Sequence, residues 1–267
     1  MRLKPVHSKR SIRLSDADAR VKGLAKSDDE LKEAAEKETE RIPELQRIFY
    51  ADARHALLIV LQGRDAAGKD GTIRKVFSAV NPQGCSVASF KAPTEIEQRH
   101  DYLWRIHAQV PARGQIGIFN RSHYEDILVP RVHGQLRKKQ WQARYEQIND
   151  FERMLADNGV VILKFMLHIS RAEQKRRLEE RLTDPSKNWK FRVGDLDDRR
   201  KWNAFTKAYH GILSNTSTAW APWFLVPADD KDVRNWLVSR TIADTLDDLK
   251  LRYPPPDPEI VGIKVDR

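Results

Sequence analysis

The sequence predicts an α/β fold in three layers, with helices on both faces of a mostly parallel sheet. Short runs of β-capable apolar residues alternate with helical stretches of ten or more residues. Parallel strands need such crossovers, so the alternation points to that architecture. A glycine-rich turn ending in a lysine joins the first apolar run to the helix after it. No repeat or low-complexity linker interrupts the order, and 267 residues suffice for one large core.

The elements follow in order. Residues 1–27 are polar, basic and without a clear period, and read as an arm. Residues 28–267 read as one domain. Over 28–52, Leu31, Ala35, Ile42, Leu45, Ile48 and Phe49 fall on one helical face, with Pro43 a kink or a second start. His55–Gln62 is nearly all apolar and reads as a strand buried on both faces. A helix spans Lys69–Val80, Asn81–Gly84 turns, and Cys85–Phe90 is a weaker strand. Thr94–Val110 reads as a helix with Ile96, Leu103, Trp104 and Ile106 inward. Ile116–Phe119 is a short strand. Residues 136–158 form a long helix ending at Asn158-Gly159, a good C-terminal cap. Val160–His168 is the strongest strand. Ser170 caps a helix over 171–182, with Glu173 in the capping-box position. Trp223–Val226 is a last central strand and 232–252 a last helix. Ile260–Val265 reads as an edge strand or a tail contact.

Composition narrows the function. An apolar fraction of 40% is too high for a disordered chain. No apolar run approaches a membrane span, and the N-terminus lacks the apolar stretch of a secretory leader. A single cysteine, Cys85, excludes an internal disulfide framework and a zinc site built on several cysteines. The cytoplasm is the expected compartment. The formal charge of +10 suits an anionic partner or a surface kept basic for solubility.

Gly63-Arg64-Asp65-Ala66-Ala67-Gly68-Lys69-Asp70 has the spacing G-x4-G-K between a predicted strand and a predicted helix. That is the context a phosphate-cradling loop requires. Glycines let backbone amides turn toward phosphate oxygens, the helix N-terminus adds partial positive charge, and Lys69 adds a full one. Asp70 stands where a magnesium-binding Ser or Thr is usual. Asp65, inside the loop, offers a carboxylate to a metal ion, or else caps the helix. Thr72 is a further hydroxyl of undetermined direction.

The second constellation, Asn120-Arg121-Ser122-His123-Tyr124-Glu125-Asp126, begins at the end of the third strand. Ligands of α/β sheets lie at the carboxyl ends of strands, so this segment is expected to face the loop. Arg121 can fork two phosphate oxygens, and Glu125 and Asp126 are candidate metal ligands or bases. Asn120 occupies a position where a carboxylate would be expected. A helix start with a surface salt bridge is the plainer reading. Residues 171–207 hold 12 Lys plus Arg against 7 Asp plus Glu, so the run is distinctly basic. It reads as a phosphate-covering lid, as a solvated charged face, or as a nucleic-acid surface.

These segments, with Leu167-His-Ile-Ser170, Trp189-Lys-Phe-Arg-Val-Gly-Asp-Leu196 and Ala221-Pro-Trp-Phe-Leu-Val-Pro-Ala228 in the same order, resemble the polyphosphate kinase 2 family. The resemblance covers roughly residues 40–250. It implies a P-loop kinase fold with a helical lid at about 171–207 and a homodimer or homotetramer. It implies magnesium-dependent, reversible phosphoryl transfer between inorganic polyphosphate and a nucleotide, with manganese as a substitute metal. Asp65 then matches the metal-binding aspartate, with Asp126 as its partner, Lys69 the loop lysine and Arg121 the catalytic arginine. Asn120, Glu125 and Asp126 join them in the catalytic set. Phosphate or nucleotide contacts fall to Gly63, Arg64, Ala66, Ala67, Gly68, Asp70, Gly71 and Thr72, and to Arg105, Arg177, Arg181 and Lys190. Asn120 with the downstream Glu-Asp resembles the branch acting on both mono- and diphosphates. AMP and ADP are therefore the expected acceptors, with guanine nucleotides second, and neither a membrane nor a specific nucleic acid is an expected partner. Two other readings stand beside it: an ATP-dependent kinase of a nucleotide or small molecule, and a non-catalytic polyanion- or nucleic-acid-binding module.

Overall fold

A computed structural model describes residues 2–6, 12–21 and 27–265. Helix α1 (Asp28–Asp52) starts at Ser27, whose hydroxyl accepts from the Glu30 amide while Glu30 bonds back to the Ser27 N–H. It runs unbroken through Pro43, with Leu31, Ala35, Ile42 and Phe49 buried along one face. Strand β1 (Ala56–Gly63) leads through the glycine-rich loop into α2 (Lys69–Val76). Then come β2 (Cys85–Ser89), the short α3 (Trp104–His107), β3 (Ile116–Asn120), α4 (Glu125–Val132) and α5 (Lys138–Asp157). Strand β4 (Val160–His168) is followed by α6 (Arg171–Thr183), α7 (Gly194–Arg200) and α8 (Trp202–Thr216). Strand β5 (Trp223–Pro227) and α9 (Lys231–Asp248) close the domain.

The strands form one sheet in the order β2-β3-β1-β4-β5, and every neighbouring pair is parallel. All eight residues of β1 are buried. Leu57, Ile59 and Leu61 face a core shared with α1, α2 and α9, whereas Leu58 and Val60 face one shared with α4, α5 and α8. The alternation follows from the two-residue period of a strand. Each such buried aliphatic side chain contributes about 1.5–3 kcal/mol of transfer free energy. A strand held from both sides is a rigid base for the loop at its end. Because β1 lies between β3 and β4, the chain reverses its winding there, and the carboxyl ends of β1 and β3 open a crevice.

Three expectations are corrected. Thr94–Val110 is not one helix: a single 3-10 turn at Glu97–Arg99 precedes α3, Ile106 is buried, and Ile96 and Trp104 are exposed. Local caps between Thr94 and Glu97 hold the short turn instead. Helix α2 stops four residues early. Ile260–Val265 joins no strand and is exposed.

Parts of the N-terminal segment are packed. Pro5 bridges antiparallel to Phe224, the Val6 amide donates to the Trp223 carbonyl (2.8 Å), and Leu14 and Ala19 are buried. Residues 1, 7–11 and 22–26 of the expected arm lie outside the described residues. No helix among the described residues is long and apolar enough to cross a membrane.

Candidate active site

Gly63 ends β1 so close to β4 that a Cβ there would stand 2.7 Å from the Leu167 carbonyl. The chain then turns through Ala66 and Gly68, both left-handed at φ 63° and 102°. Gly68 caps α2, and no side chain caps its first-turn amides. Asp65 does not cap this helix. It faces the crevice, and its carboxylate accepts from the Arg121 guanidinium at 2.8 Å. Arg121 is itself left-handed (φ 64°), which costs a non-glycine residue free energy and marks a position held by its surroundings. Its amide is fixed on the Leu61 carbonyl (3.0 Å), just before the loop.

Lys69 is buried and folded back on its own loop, donating to the carbonyls of Gly63 (2.8 Å) and Arg64 (3.3 Å). Burial pulls its pKa down, with Arg121 adding to the effect and Asp65, Glu125 and Asp70 opposing it. Thr72 is buried with its hydroxyl on the Gly68 carbonyl (3.1 Å), so it does not face a metal. Asp70 instead accepts from the Asn120 amide at 2.7 Å, tying the end of β3 to the first turn of α2. Gly71 lies in that turn, 3.6 Å from Arg234 by its would-be Cβ.

Gly63, Arg64, Asp65, Arg121 and Glu125 line one cleft with Gln174, Asp198, Trp202, Phe205 and Tyr209. Burial raises the Glu125 carboxyl, against the lowering influence of Arg121 and Lys69. Gln62, its amide oriented to suit its neighbours, donates to Glu125 at 2.9 Å. Arg64 stacks on the Trp202 ring at 3.8 Å, and burial lowers its pKa to about 10. Its Nε has no partner.

Asp126 does not join Asp65. It lies in a second cleft of about 290 Å³ with Arg105, Arg144, His100, Tyr102 and Glu97. Arg105 reaches its carboxylate at 3.3 Å and also holds the Lys91 carbonyl at 2.8 Å. Glu125 and Asp126 are consecutive on α4, so their side chains diverge by about 100° and face different clefts.

The basic run divides. Arg177 is buried and spends its donors on Glu173 and on the carbonyls of Ala66, Ala67, Ala228 and Asp229, all within 3.3 Å. It grips the loop. Arg181 donates to Asp195 and to the Lys190 carbonyl at 3.3 Å each. The Lys190 ammonium lies over the Trp189 ring, and neither Arg181 nor Lys190 lines either of these two clefts. Sequence reasoning missed Arg144, Gln174, Trp202, Tyr209 and Arg234. Trp202, an aromatic inside the basic run, carried a signal.

The donors suit magnesium. Asp65 and Glu125 offer hard carboxylate oxygens to one cleft, and no cluster of three or more metal-ligating side chains occurs among the described residues. Magnesium commonly takes one or two carboxylates and completes its shell with water and phosphate oxygens, so no closed protein cage is needed.

The polyphosphate kinase 2 family model matches residues 25–254. An AMP/ADP-polyphosphate phosphotransferase from Meiothermus ruber is 55% identical over 217 residues, 81% of either chain. An ADP-polyphosphate phosphotransferase from Rhodopseudomonas palustris is 45% identical over 233 residues, 83% of this chain and 81% of that one. The crystal structure of polyphosphate kinase 2 from Arthrobacter aurescens superposes with a TM-score of 0.87 at 39% identity, covering 96% of this chain and 95% of that one. The likeness in sequence and in fold thus extends over nearly the whole chain, which belongs to the polyphosphate kinase 2 family.

Proposed function

We propose that the protein transfers the terminal phosphoryl group of inorganic polyphosphate to AMP and ADP, reversibly and with magnesium. The observation that carries this reading is the convergence of Asp65, Arg121 and Glu125 on one cleft, with Lys69 folded on the loop beside them, in a chain 55% identical to an AMP/ADP-polyphosphate phosphotransferase. Both substrates are polyanions, so the chemistry needs positioning and charge cancellation more than covalent help.

The donor chain lies against the open amides of the loop and α2. Lys69 leaves the Gly63 and Arg64 carbonyls for a phosphate oxygen, exchanging two neutral acceptors for a charged one. Arg121 turns its fork from Asp65 to the phosphoryl in flight, which frees that carboxylate. Asp65, with Glu125 beside it, would hold the magnesium ion, whose double charge offsets that of the phosphate oxygens. The acceptor nucleotide occupies the second cleft, where Arg105 and Arg144 offer cations and His100 and Tyr102 offer ring faces. Asn120, whose amide donates to Asp70 at the start of α2, orients the acceptor. Its oxygen need not take a proton, because an acceptor phosphate is already ionised at neutral pH.

The test is direct. Purified protein, long-chain polyphosphate and magnesium are mixed with AMP or with ADP, and products are separated by chromatography. ATP from both acceptors is the expected outcome. ATP from ADP alone would overturn the dual-acceptor assignment, and activity only with ATP as donor would overturn the polyphosphate assignment.

A further inference from the structure

Arg234 is buried against the phosphate loop, lines neither of the two clefts and belongs to no motif considered above. It sits in the first turns of α9. Its Nε and one terminal nitrogen donate to Asn235 Oδ1, at 3.2 and 2.9 Å. The other terminal nitrogen reaches the Ala67 carbonyl at 3.4 Å. One end of the guanidinium packs against Gly68: a Cβ there would stand 2.1 Å from one terminal nitrogen and 2.9 Å from the central carbon. Arg177, from α6, reaches the same Ala67 carbonyl at 3.3 Å. Two arginines from different helices therefore converge on one peptide oxygen. Among the described residues, no carboxylate lies within ion-pairing distance of Arg234.

That oxygen matters because the peptide is planar and trans. Fixing the Ala67 carbonyl on the arginine side aims the Gly68 N–H the opposite way. The preceding amide, Ala67, is consumed inside the loop by the Arg64 carbonyl (3.1 Å). The Gly68 amide has no protein acceptor among the described residues. It is the first open donor of the series that continues into α2.

We propose that Arg234 is a positioning residue: by packing against Gly68 and holding the Ala67 carbonyl, together with Arg177, it points the Gly68 amide at the donor phosphate. The inference rests on the loop being the polyphosphate site. Arg234 touches no phosphate. Its planar fork does work that a point charge on a flexible stem cannot do.

The test compares wild type with Arg234→Met, Arg234→Lys and the milder Asn235→Ala, which removes the acceptor that holds the fork. Affinity for inorganic tripolyphosphate is read by calorimetry across a salt series, below the melting temperature of every variant, alongside polyphosphate turnover. Both Arg234 variants should bind roughly tenfold more weakly and lose about 10–100-fold in kcat/KM, the scale of a misplaced reacting group. Asn235→Ala should fall in the same direction by several-fold. The slope of log Kd against log salt should not change, since no phosphate contact is lost. Full rescue by lysine would show that charge alone matters, and a slope reduced by about one would make Arg234 a direct phosphate ligand. Either result overturns the proposal. So would unchanged binding in all three folded variants, or a wild type that binds no tripolyphosphate. A wild type that binds tripolyphosphate but transfers nothing would overturn the functional reading alone, and the binding data would still decide the role of Arg234.

Discussion

Replacing Lys164 with methionine should destabilise the protein by about 3–5 kcal/mol at pH 7.5, the cost of removing one partner of a buried ion pair. Lys164 lies in the middle of β4 and is fully buried. Its ammonium donates to Glu152 at 2.5 Å, to the Tyr124 hydroxyl at 2.7 Å and to the Thr216 carbonyl at 2.7 Å. At 2.5 Å the gross attraction is about 7 kcal/mol for an effective dielectric constant near 20, most of it offset by taking two ions out of water. Methionine restores the stem but strands the carboxylate, which keeps only Tyr124 and His123 as partners. The pH dependence carries the sign. Burial opposes the Glu152 charge, but Lys164 and His123 outweigh it and hold the carboxyl below its ordinary value. That contribution is present above the unfolded pKa and is lost as pH falls through the folded one. Without Lys164, burial dominates and the folded pKa rises above the unfolded value. The variant then loses stability as pH rises, so its deficit should be larger at pH 7.5 than at pH 5. Urea unfolding at both pH values measures this, and a double variant with Glu152→Gln should recover most of the loss. A deficit below about 1 kcal/mol at pH 7.5, or one equal at both pH values, would refute the reasoning.

Lys69→Ala should lower turnover by at least about 100-fold with little change in melting temperature, since the ammonium is asked to stabilise transferring phosphate. Steady-state kinetics with melting curves check it, and near-normal rates would remove Lys69 from the site. Asp65→Asn should raise the magnesium concentration for half-maximal rate by about tenfold or more, read from a metal titration. Asn120→Asp places a second carboxylate against Asp70, where the wild-type amide donates at 2.7 Å. It should change the ratio of AMP to ADP rates, and an unchanged ratio would place residue 120 away from the acceptor. Arg64→Met should raise KM for polyphosphate several-fold while altering stability by less than about 1 kcal/mol, because the buried cation has no carboxylate partner to strand.

What was legible in the sequence was local. Strands β1 and β4 show themselves as apolar runs, and the loop carries its glycines and lysine within eight residues. The unread features depend on contacts between distant segments. Ile96 and Trp104 fit a helical period, yet both are exposed, because the segment is shaped by short local caps rather than by packing. Glu125 and Asp126 differ by one residue and by which cleft they enter, and only the rotation of α4 decides between them. Ile260–Val265 is β-capable but pairs with neither sheet edge, and Pro5 bridges the outer side of β5. In the basic run the charges were counted correctly, but Arg177 faces carbonyls of its own chain. Arg234 and Lys164 belong to no motif, and their partners are 167 and 12 residues away.

The arrangement of charge explains why those arginines are worth burying. Arg64 within the loop and Arg234 packed against it are each largely desolvated, each pulled by burial to a pKa of about 10. Neither has a carboxylate within ion-pairing distance among the described residues. A buried cation without an anion is costly in the free protein. A carboxylate partner would relieve that cost but would also cancel the field at the loop. Asp65 does lie at the loop, and Arg121 already accompanies it. Arg64 and Arg234 therefore stay without an ion-pair partner in the free protein; a polyanion at the loop lowers the cost of burying them, and that relief is part of the binding free energy. A donor with a charge on every phosphate, and no base to recognise, is the substrate for which such a field is the main available handle.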